Sequence, residues 1–159
     1  MSTPTPAEKA PLGRRLFYWL LNFYPPYAGA GISAKGSPDL QRFEVTMRQR
    51  PWNRNVFGTH FGGSLYSMCD PFFVLIMTEQ LGKGYIVWDK AASIRFLRPG
   101  KGKVKAIFEL PPGEPERIKA EVEKSGKAEP TYTVEVRNEA GEVVAQVEKL
   151  LYVRKKREV

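Results

Sequence analysis

Cysteine and histidine are nearly missing from this chain of 159 residues, which has one of each, Cys69 and His60. A lone cysteine excludes an intrachain disulfide and fits a reducing, cytoplasmic setting. The pair falls short of the roughly four Cys or His ligands of a structural zinc site, so neither a metal nor a bound cofactor is expected. Long apolar runs are also missing. The most apolar N-terminal segment, "LGRRLFYWLLNFYPP", offers roughly 13 residues before its prolines, against the ~20 that span a bilayer, so no transmembrane segment is expected. Acids are the scarcer charge, 17 against 25 Lys and Arg, which leaves a net charge of +8. Such an excess favours anionic partners. No helix-turn-helix or aromatic-basic motif accompanies it, so nucleic acid ranks last among them.

What is present reads as one domain with one core: 42% of residues are apolar and 12% aromatic. Residues 1–11 are polar and proline-containing, which reads as a disordered lead-in and not a signal peptide. Residues 12–153 form the domain, and residues 154–159 a solvated basic tail. Leu12, Leu16, Leu20 and Phe23 share one helical face, and Pro25 and Pro26 stop the helix. That helix either docks on the domain's own sheet, the reading taken here, or works at a wet, apolar boundary to which Tyr18 and Trp19 are suited. "GAGISAKGSPD" reads as a turn-rich connector.

Phe43, Val45 and Met47 alternate with polar neighbours, as in a half-buried strand. From Leu65 to Met77 apolar groups cover nearly every side of a helix, which makes it a buried one, with Gly82 as its stop. Four strands follow. Their inward sets are Ala92, Ile94 and Phe96; Val104, Ala106, Phe108 and Leu110; Tyr132, Val134 and Val136; and Val143, Ala145 and Val147. The charged stretch "PPGEPERIKAEVEKSGK" is a connector with a helical turn or two around Ile118 and Val122. Strands joined by short turns are antiparallel, and the economical way to bury the central helix is to wrap the sheet around it. The fold class is therefore α+β. One such sheet leaves two edges uncovered, so self-association is expected.

The stretch from Asn55 to Gly82 carries the chemistry. Asn55, Gly58, Gly62 and Gly63 follow the register Asn-x-x-Gly-x-x-x-Gly-Gly, and an acid, Asp70, comes seven residues after the second glycine. This pattern resembles the hotdog-fold acyl-CoA thioesterase superfamily, and within it the small domains called DUF4442. "SIRFLRPGKG" and "GEVVAQVEKLLYV" resemble that family's second strand and its last strand. Relatives often carry His directly before the glycine pair, where this chain has Phe61, and His60 stands one residue earlier. The resemblance implies a hotdog sheet around a central helix, here with an extra N-terminal helix, and a homodimer or tetramer with its sites at the dimer interface. It also implies thioesterase activity on acyl-CoA, with coenzyme A as part of the substrate.

Thioester hydrolysis needs a donor for the carbonyl oxygen and a group that attacks or delivers water. Free amides at the helix start, Gly62 and Gly63, can polarise the carbonyl; equally, the glycines can serve only a tight turn. Asp70 would be nucleophile or general base, or else the cap of a helix that starts at Pro71. Eight positions separate Gly62 from Asp70, about 12 Å along one helix, too far for both to serve one carbon. A catalytic Asp70 therefore needs the Gly62 of a second copy. Asn55 would hold a water or the carbonyl, or only shape a turn. Substrate contacts are expected from His60, Phe61, Gly63, Tyr66 and Phe73. Arg95, Arg98, Lys101 and Lys103 would meet the phosphates of coenzyme A. Cys69 reads as core filler. The alternative function is a non-catalytic hotdog that binds an acyl thioester or lipid in the same groove.

Overall fold

A computed structural model describes residues 9–157. The chain opens with α1 (Leu12–Leu20), a 3₁₀ turn (Leu21–Phe23) and α2 (Pro25–Ala30). Pro25 and Pro26 thus begin a helix instead of ending one. Tyr24 is extended and breaks the first helix, and a proline at the first helical position lacks only an N–H that would have no partner there. α2 ends at Gly31, whose φ of 74° is left-handed. β1 (Ile32–Gly36) follows and hairpins into β2 (Arg42–Arg48). The expected connector is therefore the end of a helix and a strand, both too short to show a period.

α3 (Gly62–Ser67) and α4 (Phe72–Leu81) replace the single central helix. The break falls at Met68–Pro71, because Pro71 has no amide to continue the ladder. β3 (Tyr85–Phe96), β4 (Lys103–Glu109), α5 (Glu114–Ser125), β5 (Lys127–Ala128), β6 (Thr131–Asn138) and β7 (Val143–Lys155) complete the chain. α5 has three turns where one or two were expected. Pro115 and two acids stand in its first turn, Lys124 in its last, and Gly126 caps it. β7 runs two residues into the expected basic tail: Arg154 and Lys155 pair with Ile86 and Tyr85. Residues 1–8 of the expected lead-in, and residues 158 and 159 of the tail, lie outside the described residues.

The sheet is antiparallel, in the order β1-β2-β4-β6-β7-β3, so β1 and β3 are its edges. Its inner face carries Phe43, Val45, Met47, Val104, Ala106, Phe108, Val134 and Val136 as alternation predicts. At the start of β7 the register shifts against β6, so Val144 is buried where Val143 was expected. A second shift, a bulge at Lys90, separates Asp89 from Ala91 in the pairing of β3 with β7. α4 fills the concave side. Phe72 lies 5.0 Å from Phe108 and 5.5 Å from Phe43, ring centre to ring centre. Phe73 lies 5.1 Å from Tyr132. Ile118 and Val122 of α5 close the core from the side.

α1 docks on the domain beside β1, as expected from the sequence, but through Tyr18 and not through its apolar stripe. Tyr18 is its one buried side chain, with its hydroxyl donating to Glu79 at 2.7 Å, and Arg14 pairs with the same carboxylate at 2.6 Å. The helix is held by polar groups on its inner side, and the leucines face out. Among the described residues no helix is long and apolar enough to cross a membrane.

Candidate functional site

Asp70 closes the break between α3 and α4, and it caps neither. No side chain caps α4, and Pro71 occupies the cap position in a helical conformation. Instead Asp70 Oδ1 accepts from Lys149 Nζ at 3.0 Å and from the Tyr66 hydroxyl at 3.1 Å. Tyr66 reaches it because the two stand one turn apart. Lys149 Nζ also meets Asp89 Oδ2 at 2.9 Å and lies 5.2 Å from the centre of the Tyr66 ring. The Lys149 side chain is 0% exposed, Asp89 26% and Asp70 52%. A fully buried ammonium is thus clamped between a half-exposed and a mostly buried carboxylate. Asp70 Oδ2 has no hydrogen-bond partner among the described residues.

Burial alone would pull the Lys149 pKa down. Its bonds to Asp89 and Asp70 outweigh that and leave it above the usual lysine value. Burial pushes the Asp89 carboxyl up, although Lys149 opposes this. Asp89 Oδ1 is buried without a partner, which agrees with a carboxyl that holds its proton more tightly than usual. Lys149 was not singled out from the sequence, yet the sequence holds its signal. Extending the inward set of β7 by twos from Val147 gives Lys149, Leu151 and Val153, and all three are buried. A lysine in an inward register slot needs a partner.

The glycine pair forms a separate half. Gly62 opens α3, Phe61 before it is extended, and the Gly62 and Gly63 amides have no backbone acceptor among the described residues. A cleft of about 510 Å³ lies beside them, lined by Asn55, His60, Gly62, Leu65, Phe96 and Arg98 among others, and Asp70 does not line it. A Cβ on Gly62 would approach Phe96 Cζ to 3.0 Å, and one on Gly63 would collide with the Phe61 ring. Both glycines therefore have a packing reason as well as free amides.

Two expectations for this half are corrected. Asn55 has no free group: Oδ1 accepts from the amides of Phe57 and Thr59, and Nδ2 donates to Thr59 Oγ1 and to the His60 carbonyl. It builds the loop, and its capacity to hold a water is used up. Phe73 is in the core against Phe108 and Tyr132, not in a substrate tunnel. His60 is buried, with Nε2 bonded to the Gly102 carbonyl at 2.9 Å and Nδ1 unpartnered. Burial, only partly opposed by that bond, holds it below the usual histidine pKa, so the ring is neutral near pH 7. Phe61 is 59% exposed beside the cleft.

The basic residues divide as well. Arg98 lines the cleft and donates to the Val143 carbonyl at 3.1 Å. Arg95 and Lys101 are exposed, and Lys103 is half-buried. Cys69 is buried, and burial pushes its thiol up to about 12, so no thiolate is at hand.

An antiparallel sheet curled around a central helix, with a glycine-opened turn before that helix, is the hotdog fold. The chain belongs to the family described as a domain of unknown function, DUF4442, whose model matches residues 13–153. A Pseudomonas aeruginosa protein of unknown function, PA5026, described as a probable thioesterase, shares the fold. It has a TM-score of 0.80 and 22% identity, over 94% of this chain and all of that one. Thioesterase HI1161 of Haemophilus influenzae is similar at a TM-score of 0.66 and 18% identity, over 96% of each chain. The E. coli PaaI protein, from the phenylacetic acid degradation operon, gives 0.57 and 18%, over 94% of this chain and 99% of its own. Curated proteins gave no match.

Proposed function

We propose that the chain hydrolyses acyl-CoA thioesters in a site shared by two copies, Asp70 of one facing the Gly62 cleft of the other. The observation that carries this is the state of Asp70: on a half-exposed side chain, one carboxylate oxygen is tied to a buried ammonium and a tyrosine, and the other has no partner among the described residues. A helix cap would instead bond the first amides of α4, and no side chain does so. That similar folds belong to proteins described as thioesterases adds support.

The topology favours two copies. Asp89 and the cleft residue Phe96 both lie on β3, an unpaired edge of 12 residues. They are seven residues apart, about 24 Å along a strand. If β3 pairs antiparallel with its own copy about a two-fold axis at Ser93, the extra residue at the Lys90 bulge brings Asp89 of one strand opposite Phe96 of the other, both on the inner face. The Asp70–Lys149 network then borders the second copy's cleft, in a cytoplasmic homodimer or a tetramer of such dimers.

In that arrangement Asp70 Oδ2 takes a proton from water as the hydroxide forms its bond to the thioester carbon. The Gly62 amide receives the developing oxyanion. The C–S bond then breaks, and the thiol leaves as coenzyme A with the proton that Asp70 held. Lys149 does not touch the substrate. It fixes the carboxylate and supplies positive charge beside it, so it positions the base. Arg98 lines the cleft and would meet the phosphates of coenzyme A; Arg95, Lys101 and Lys103 do not line it, and Lys103 stands in a separate pocket with Arg48 and Arg50.

The full chain is offered a panel of acyl-CoAs of different length while released thiol is followed, beside Asp70→Asn. Turnover that needs Asp70 supports the reading; equal turnover in Asp70→Asn removes Asp70 from it. One observation favours the second reading, a non-catalytic acyl-binding protein: Asn55 is committed to its loop and His60 is buried, so neither is free to hold the water. Saturable acyl-CoA binding without turnover would select it.

A further inference from the structure

α1 exposes what amphipathic helices normally bury. Leu12, Leu16, Trp19, Leu20 and Phe23 are between 50% and 76% exposed. At 100° per residue the first four fall within about 100° of arc, on the side opposite Tyr18, and Phe23 continues the row in the 3₁₀ turn. Polar contacts to Glu79 fix the inner side, so the helix cannot roll its leucines inward without losing both of them.

The dimer that β3 would make leaves this face bare, because α1 packs beside β1 and β1 is the opposite edge of the sheet. A groove of about 540 Å³ runs between α1 and β1. Arg15 and Lys35 line it, no acid does, and neither cation has a carboxylate partner among the described residues. The apolar row continues past the groove to Leu20 and Phe23, which do not line it. A small amphiphile held in the groove would leave those two side chains wet. A surface covers the whole row.

We infer that α1 docks the protein on an anionic phospholipid bilayer. The leucines, Trp19 and Phe23 enter the boundary between headgroups and acyl chains, and Arg15 and Lys35 meet lipid phosphates. This does not rest on the thioesterase reading.

Flotation of the full chain with vesicles tests it. Binding is expected with vesicles that are about one-third phosphatidylglycerol and is expected to weaken at least tenfold with phosphatidylcholine alone or at high salt. Leu16→Glu with Leu20→Glu abolishes it. Arg15→Gln with Lys35→Gln lowers partition about 25-fold, each cation near a charged surface giving about fivefold. All four positions are exposed, so an unchanged circular dichroism spectrum and melting point are expected for both variants. The inference is overturned if the protein does not float with anionic vesicles, or floats equally well after the leucine substitutions. It is also overturned if those substitutions lower the molecular mass in solution, which would make the face a contact between copies of the chain.

Discussion

Replacing Lys149 by Met tests the centre of the proposed site without touching its outward surface. The side chain is 0% exposed and meets carboxylates at 2.9 and 3.0 Å. Removing one partner of a buried ion pair costs ~3–5 kcal/mol when nothing else compensates the other. Here water screens the two acids unequally. Asp70 is half exposed, so losing its cation costs what a surface pair is worth, at most ~1 kcal/mol. Asp89 is mostly buried and already has one oxygen without a partner, so it dominates, at ~1–3 kcal/mol. The sum is a loss of ~1–4 kcal/mol, or about 3–12 °C in Tm for a chain of this size.

Denaturant titration at several pH values gives the assay. With its cation gone, Asp89 can avoid the penalty by taking a proton, and its carboxyl already sits above the usual value of 3.8. The variant's deficit should therefore be small near the unfolded carboxyl value and grow as pH rises through the folded one. In the parent, Lys149 has a raised folded value, so its contribution is complete below 10.5 and fades only as pH rises past that. Asp89→Asn added to Lys149→Met should recover part of the loss. A Lys149→Met protein within ~0.5 kcal/mol of the parent at pH 7 would refute the claim that the ammonium compensates the two acids.

Three further outcomes are expected. Glu114 is buried and bonded to Arg117 at 2.7 Å and to the Tyr132 hydroxyl at 2.6 Å, and these bonds hold its carboxyl below 4.5. Glu114→Gln should cost ~1–2 kcal/mol at pH 7, and the difference should vanish as pH falls through the folded value, which acid denaturation would read. Gly31→Ala should cost ~2 kcal/mol or more, because its φ is 74° and a Cβ would lie 2.8 Å from Asn53 Nδ2 and 2.9 Å from the Arg48 carbonyl; a thermal melt within a degree of the parent would contradict this. Ser93→Cys places a thiol beside the proposed two-fold axis while Cys69 stays buried, so a short bismaleimide should convert the protein to a covalent dimer, and monomer alone on a denaturing gel would remove that axis.

The parts of the fold that could be read in advance are those with a long enough period. β2, β4 and β6 announce their inner faces by strict alternation, and the core accepts them unchanged. α2 and β1 are six and five residues long, less than two turns and one short strand, so no pattern accumulates. α1 has a clear stripe, but periodicity says which residues share a face and not which way the face points. Tyr18 and Glu79, 61 residues apart, decide that. The same limit hid the chemistry. The register that marks Asp70 was visible, and its partners were not, because they come from α3, β3 and β7 and meet only in the folded chain. Asn55 shows the converse: a residue matching a motif can be consumed by its own loop.

The bulge at Lys90 makes chain length in β3 a matter of parity. Asp89 faces Leu151 and Ala92 faces Lys149, so the strand spends three residues where its partner spends two. Residues on both sides of the extra one thereby keep to the inner face. Excising one residue there would leave an ordinary ladder, but odd and even would exchange on one side of the cut. Either Asp89 would turn its back on Lys149, or Ile94 and Phe96 would leave the face they now share with the cleft. Substitutions along β3 are graded in their effect; a single deletion is not, and a compensating insertion would have to fall within the same strand.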